Sequence, residues 1–134
     1  MSLPKVRWRG AVAGALVAEV GQIAAAFAWV ALYSYVINPG QPAATYQAYA
    51  QTAAPWVSVI AGAPIFYLAA RRFSEAVPTA IALFALFLIA DGVIRLTSGG
   101  PDTSMLLFQA AASYLSKLFA CWLGGVHAAR RQVT

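Results

Sequence analysis

Long apolar runs separated by short polar breaks dominate the pattern of this chain. The runs cover about residues 10–37, 53–70, 77–96 and 104–129. Each approaches or exceeds the ~20 residues that carry a helix across ~30 Å of hydrocarbon. The first and fourth are longer than that and are expected to tilt or protrude. Between the first two runs, Asn38-Pro39-Gly40-Gln41-Pro42 stops the helix, because two prolines and a glycine cannot extend it. The uncharged stretch 45–52 then reads as an interfacial helical turn leading into the second run, with Pro55 near that helix's start. Pro64 falls inside the second run and predicts a kink, of the kind that membrane bundles tolerate. Ser74 or Thr79 is available to cap the third helix, and Asp102 or Thr103 to cap the fourth. Short connections predict antiparallel neighbours in sequence order. The fold class that follows is all-α: one integral membrane domain over residues 1–134, a four-helix transmembrane bundle.

Composition strengthens the membrane reading. Of the 134 residues, 61% are hydrophobic and 10% are charged, against about 25% charged in soluble domains. The net charge of +5 is distributed by topology. Lys5, Arg7 and Arg9 precede the first run, Arg71 and Arg72 follow the second, and Arg130 and Arg131 follow the fourth. Only Arg95 falls at the opposite ends. That asymmetry predicts both termini in the cytoplasm, in a membrane of bacterial inner-membrane type. The basic start resembles a signal peptide in outline, but its apolar stretch exceeds the usual ~7–15 residues and contains Glu19 and Gln22. A retained first helix is the expectation. No basic-aromatic patch for nucleic acid and no phosphate-binding glycine loop is present.

The candidate chemistry lies inside the apolar runs. An ionisable side chain at membrane depth is expensive, and it faces a partner or water. Counted from the arginines at ~1.5 Å per residue, Glu19 lies ~15 Å deep, Gln22 and Lys117 ~20 Å, Asp91 ~24 Å and Arg95 ~30 Å. Glu19, Gln22 and Lys117 thus share a midplane layer, with Asp91 within a lysine's reach. Ala15, Glu19, Gln22 and Ala26 share one face of the first helix. Gln109, Ser113, Lys117 and Cys121 repeat at i+4 along the fourth, and Asp91 and Arg95 do so on the third. Ser58 and Tyr67 flank the kink of the second, and Tyr114 lies one turn from Lys117.

Two accounts of this layer stand. In one, Glu19 and Lys117 form a buried structural ion pair and Asp91–Arg95 an interfacial pair; buried pairs fix register more than they stabilise. In the other, the layer lines a water-accessible cavity that binds protons or a ligand. The two acids and two bases sum to zero, which favours neutral or zwitterionic small molecules over an ion filter. The ligand- or proton-binding set is Glu19, Gln22, Asp91, Gln109, Ser113 and Lys117, with Arg95, Tyr67 and Tyr114 secondary. No cofactor is expected. His127 is the only histidine and Cys121 the only cysteine, too few for a zinc site or a disulfide. Serines 58, 113 and 116 have no membrane-depth histidine to activate them.

Gly10, Gly14 and Ala18 form a small-xxx-small row, which serves packing within the chain or self-association of two copies. Trp8, Trp29, Tyr33, Tyr35, Trp56 and Trp122 lie toward span ends as interfacial anchors. The outer ones, with Tyr46 and Tyr49, are alternatively an aromatic mouth.

The run Ala15-Leu16-Val17-Ala18-Glu19-Val20 resembles the first helix of the small multidrug resistance transporters. In that family, a four-helix dimer carries a membrane-embedded glutamate that takes up a proton or a cationic substrate. The resemblance implies a proton-coupled role for Glu19. It does not extend beyond this run: the outer loop here is longer, the third helix lacks the family's glycine-rich pattern, and Lys117 has no counterpart. The expected function is a small transporter or ligand-binding membrane protein. The alternatives are an accessory subunit held together by its buried charges, and an intramembrane enzyme.

Overall fold

The computed structural model describes residues 5–98 and 104–134. They form helices throughout, with no strand among the described residues. Helix α1 spans Trp8–Leu32 and continues as a π-helical turn, Tyr33–Ile37. Helix α2 spans Ala43–Ile60, α3 Gly62–Phe73, α4 Val77–Ser98 and α5 Ser104–Arg131. The caps expected at Asp102 or Thr103 lie outside the described residues.

Two helices are long and apolar enough to cross a membrane: Trp8–Ile37 and Val77–Thr97. A third span is present if α2 and α3, bent by 43° at their junction, count as one broken crossing. Helix α5 is not among them. Its stripe of Gln109, Ser113, Ser116 and Lys117 lowers its hydropathy, although the same stripe faces inward.

The prolines act differently from their expected roles. The stretch before Pro55 is a full part of α2, so Pro55 lies inside a helix rather than at its start. The bend falls at Ala61, and Pro64 occupies the first turn of α3. There its missing N–H is harmless, while its ring disfavours continuing the ladder back to Ile60. Neither serine nor threonine caps α4. Ser74 Oγ turns back to donate to the Ala70 carbonyl, and Thr79 Oγ1 accepts the Arg7 backbone N–H at 3.1 Å.

Neighbour order departs from sequence order as well. Helix α5 packs against α3 and α4, and α1 packs against α4, α3 and α2, whereas α3 and α4 meet only sparsely. Helix α1 takes the place between them because it has no side chains in the way. A Cβ on Gly10 would run into the Phe73 carbonyl, and one on Gly14 into the Leu83 side chain. Ala11, Ala15 and Ala18 complete this face and are buried. The small-residue row of Gly10, Gly14 and Ala18 therefore packs against other helices of the same chain. Gly124 and Gly125 do the same for α5, against Tyr67 and Ala70 of α3 and Ala80 of α4.

The core contains Phe66, Leu83, Phe84, Phe87 and Cys121 among many alanines, which suits close helix approach. Large apolar side chains point outward instead, among them Leu16, Val20, Phe27, Ile60, Ile89, Phe108, Leu115 and Phe119. Polar side chains are inside: Gln22, Thr79, Ser113 and Lys117. An apolar exterior around a polar centre is what a lipid solvent selects.

Candidate functional site

Lys117 is the centre of the interior. It is only 1% exposed and is among the largest fully buried side chains. Helix α5 presents it one turn beyond Ser113, aimed across the bundle toward α1 and the α2–α3 bend. Its ammonium donates to Gln22 Oε1 at 2.7 Å and to Ser58 Oγ at 2.8 Å. The rings of Phe87 and Phe66 approach it at 4.9 and 5.4 Å from their centroids. Those distances fall within cation–π range, worth about 0.5–2 kcal/mol each.

Neither hydrogen-bond partner is a carboxylate. Glu19 is held at one remove: Gln22 Nε2 donates to Glu19 Oε2 at 2.7 Å. The expected direct Glu19–Lys117 ion pair is therefore absent, and the amide bridges the two charges. The reason is helical geometry. Gln22 stands one turn further along α1 than Glu19, on the same face, and meets the lysine first. An amide has a donor and an acceptor end, which match a carboxylate on one side and an ammonium on the other.

A row at i+4 spacing makes room for the lysine. Ser58 supplies the hydroxyl, Gly62 the gap and Phe66 the ring, one turn after another across the bend. A Cβ on Gly62 would lie 2.6 Å from Lys117 Cε, so any larger residue there would have to displace the tip of the lysine. Phe66, Phe87 and Gly62 were not singled out from the sequence. The Ser58, Gly62, Phe66 spacing was a readable signal for two of them; for Phe87 there was none.

Two openings flank the centre. On the α1–α4 side, partly buried Glu19 lines an apolar groove of about 150 Å³ with Val12, Ala15, Leu16, Leu86, Phe87 and Ala90. On the opposite side, a small polar cavity of about 30 Å³ is lined by Pro55, Ser58, Arg95, Gln109, Ala110 and Ser113. Ser58 and Ser113 face each other across 3.4 Å and separate this cavity from the lysine.

Asp91 belongs to another cluster. Its Oδ2 accepts from Arg95 Nε at 2.8 Å and from the Tyr114 hydroxyl, while the Arg95 guanidinium lies 5.6 Å over the Tyr114 ring. Asp91 is thus tied to α5 through Tyr114, while the hydrogen bonds of Lys117 go to Gln22 and Ser58. Tyr67 is further removed: its hydroxyl shares a 2.7 Å hydrogen bond with His127 Nδ1, near the basic end of the bundle. At the other end, Tyr33 stacks on Tyr49 at 3.6 Å, and Trp29 Nε1 donates to the Tyr49 hydroxyl at 2.8 Å. These rings clamp α1 to α2. Among the described residues, no three His, Cys, Asp or Glu side chains come together as a metal site.

Chemically, the arrangement keeps two charges coupled but separate. An amide keeps its own protons, so Gln22 transmits orientation and electric field between Glu19 and Lys117 without passing a proton. Glu19 lines one opening, and Lys117 stands behind Ser58 and Ser113 of the other. No family model, curated protein or solved structure matches this chain.

Proposed function

We propose that this chain is a small integral membrane transporter or ligand-binding protein, a four-helix bundle whose working centre is Glu19–Gln22–Lys117. The observation that carries the reading is the Lys117 ammonium, sealed in the interior with only neutral oxygens and rings around it. A buried cation without a carboxylate in contact is costly and adds little to stability. Its use lies in taking an acceptor from outside.

Proton coupling follows from the bridge. When Glu19 is ionised, it fixes Gln22 Nε2 and so presents Oε1 to Lys117. A proton taken up from the groove side removes that hold. Gln22 is then free to rotate, and the ammonium demands another acceptor. Uptake of a proton at Glu19 and of an acceptor-bearing ligand at Lys117 therefore reinforce each other, as linkage requires. Arg7 pairs with Glu75 where the start of α1 meets the α3–α4 connection, which groups the basic residues at one end. That end faces the cytoplasm in this proposal, with α5 as the fourth span shielded by its neighbours.

The test is proton movement in proteoliposomes loaded with a pH-reporting dye. Wild-type protein should carry protons, and Glu19→Gln should abolish the flux without loss of folded protein. Equal flux in both would refute the proposal.

A second reading has one observation in its favour: Lys117 finds its acceptors within a single chain, as a structural pin would. Then Glu19→Gln and Lys117→Met would each loosen the bundle in detergent, the paired replacement would restore it, and neither protein would carry protons.

A further inference from the structure

The small cavity beside Lys117 has an unusual wall. Ser113 offers a hydroxyl donor, Gln109 an amide and Arg95 a guanidinium beside the Ser58 oxygen, and among the described residues no carboxylate lines it. Asp91 is engaged by Tyr114 and by Nε of the Arg95 in this wall. Behind Ser58, at 2.8 Å, stands the Lys117 ammonium. Two cations thus bracket a space walled by proton donors, in surroundings where charge is weakly screened. The volume, about 30 Å³, compares with the ~10–15 Å³ needed to hold one water. It fits a monoatomic anion or a pair of waters and excludes organic molecules.

We infer that this cavity is a binding site for a small monovalent anion of halide size, entering past Arg95 and Gln109 and resting on Ser113 in front of Ser58 and Lys117. The inference rests on the reading of Glu19–Gln22–Lys117 as a working centre and names its ligand class. Ser58 accepts from the lysine and donates to Gln22 Oε1 at 3.3 Å, which leaves the Ser113 proton to point at the anion. The ion never needs to touch Lys117: Ser113, Gln109 and Arg95 carry the contact and the ammonium supplies the field. Such preorganised donors in a low-dielectric site are worth more than the same groups in water.

Chloride is the probe. In nanodiscs of phosphatidylcholine, at constant ionic strength set with sodium gluconate, the ³⁵Cl NMR line should broaden in proportion to protein. The broadening should saturate with chloride and be reversed by bromide. Ala110→Leu fills the cavity while leaving every polar group in place, and should remove the saturable component. Arg95→Gln should weaken chloride by about tenfold or more, the scale of one lost hydrogen bond to a charged partner. The inference is overturned if Ala110→Leu broadens the line as wild type does, since the chloride would then sit elsewhere. It is overturned equally if wild type shows no saturable broadening, the cavity then holding water only. If Glu19→Gln still abolishes proton flux in that case, the anion inference alone has failed. Saturable chloride binding without proton flux would instead uphold the site and remove the transport reading.

Discussion

Lys117 Nζ and Gln22 Oε1 meet at 2.7 Å across the bundle, the one hydrogen bond from α1 to the lysine among the described residues. Helices α1 and α5 are not close neighbours, since each packs mainly on α3 and α4. The contact therefore spans the centre of the molecule. It joins the two helices whose polar stripes were recognisable from the start, but through an amide instead of the expected carboxylate.

Gln22→Leu should be the most damaging single change in the layer. It leaves the lysine with Ser58 as its one hydrogen-bond partner and removes the donor that holds Glu19. Loss of a partner to a buried charge costs about 1–3 kcal/mol or more. Thermal unfolding in detergent should show a clear drop in Tm, larger than for a surface change such as Leu16→Ala. A Tm equal to wild type would mean that Gln22 does not bridge the charges.

Gly62→Ala should cost about 1–3 kcal/mol by overpacking, because its Cβ would lie 2.6 Å from Lys117 Cε. In a Lys117→Ala background the same change should cost little. A double-mutant cycle measures this coupling. Additive effects would show that the glycine serves the bend of α2 and α3 alone.

The fold was readable in proportion to how local its causes are. The helix stop at Asn38–Pro42 lies where the sequence puts it, and the bend, which falls at Ala61, lies three residues before Pro64. The meeting of Glu19, Gln22 and Lys117 in one layer also follows from counting along helices. What counting cannot supply is rotation and neighbour order. Direct pairing of Glu19 with Lys117 was a natural expectation, yet Gln22 intervenes because it stands one turn closer. The close fit of Gly10 and Gly14 against Phe73 and Leu83 depends on which helix lies beside α1, and no local signal states that. The same limit hid Phe87. The number of membrane crossings is the converse case: α5 is too polar to qualify by composition, because the stripe that marks it as interesting is the one that lowers its hydropathy.

Tyr114→Phe and Arg95→Gln separate the two contacts of Asp91. Tyr114 links α5 to α4 in a partly buried setting, so its loss should cost about 1.5–3 kcal/mol, the range for a hydrogen bond to a charged group. Arg95 has a side chain 53% exposed, and its pair with Asp91 should contribute about 1 kcal/mol or less. Chemical unfolding of both variants gives the comparison. An Arg95 variant less stable than the Tyr114 variant would reverse the assignment.

Cys121 is wholly buried in the core, so in folded protein it should resist maleimide and react only on unfolding. The rate of thiol labelling then reports bundle integrity for every variant above. Prompt labelling of wild-type protein would contradict the packing of α5 against α3 and α4.

The coupling of Glu19 to Lys117 through Gln22 is the central claim, and ¹⁵N NMR of lysine side chains in lipid tests it most directly. Lys117→Met identifies the Lys117 Nζ resonance by its disappearance. In wild-type protein that signal should belong to an ammonium in slow exchange with water, and it should shift as Glu19 takes up its proton on lowering pH. Glu19→Gln should remove the pH-dependent shift while leaving the resonance in place. A Lys117 signal that moves with pH identically in wild type and Glu19→Gln would contradict the account.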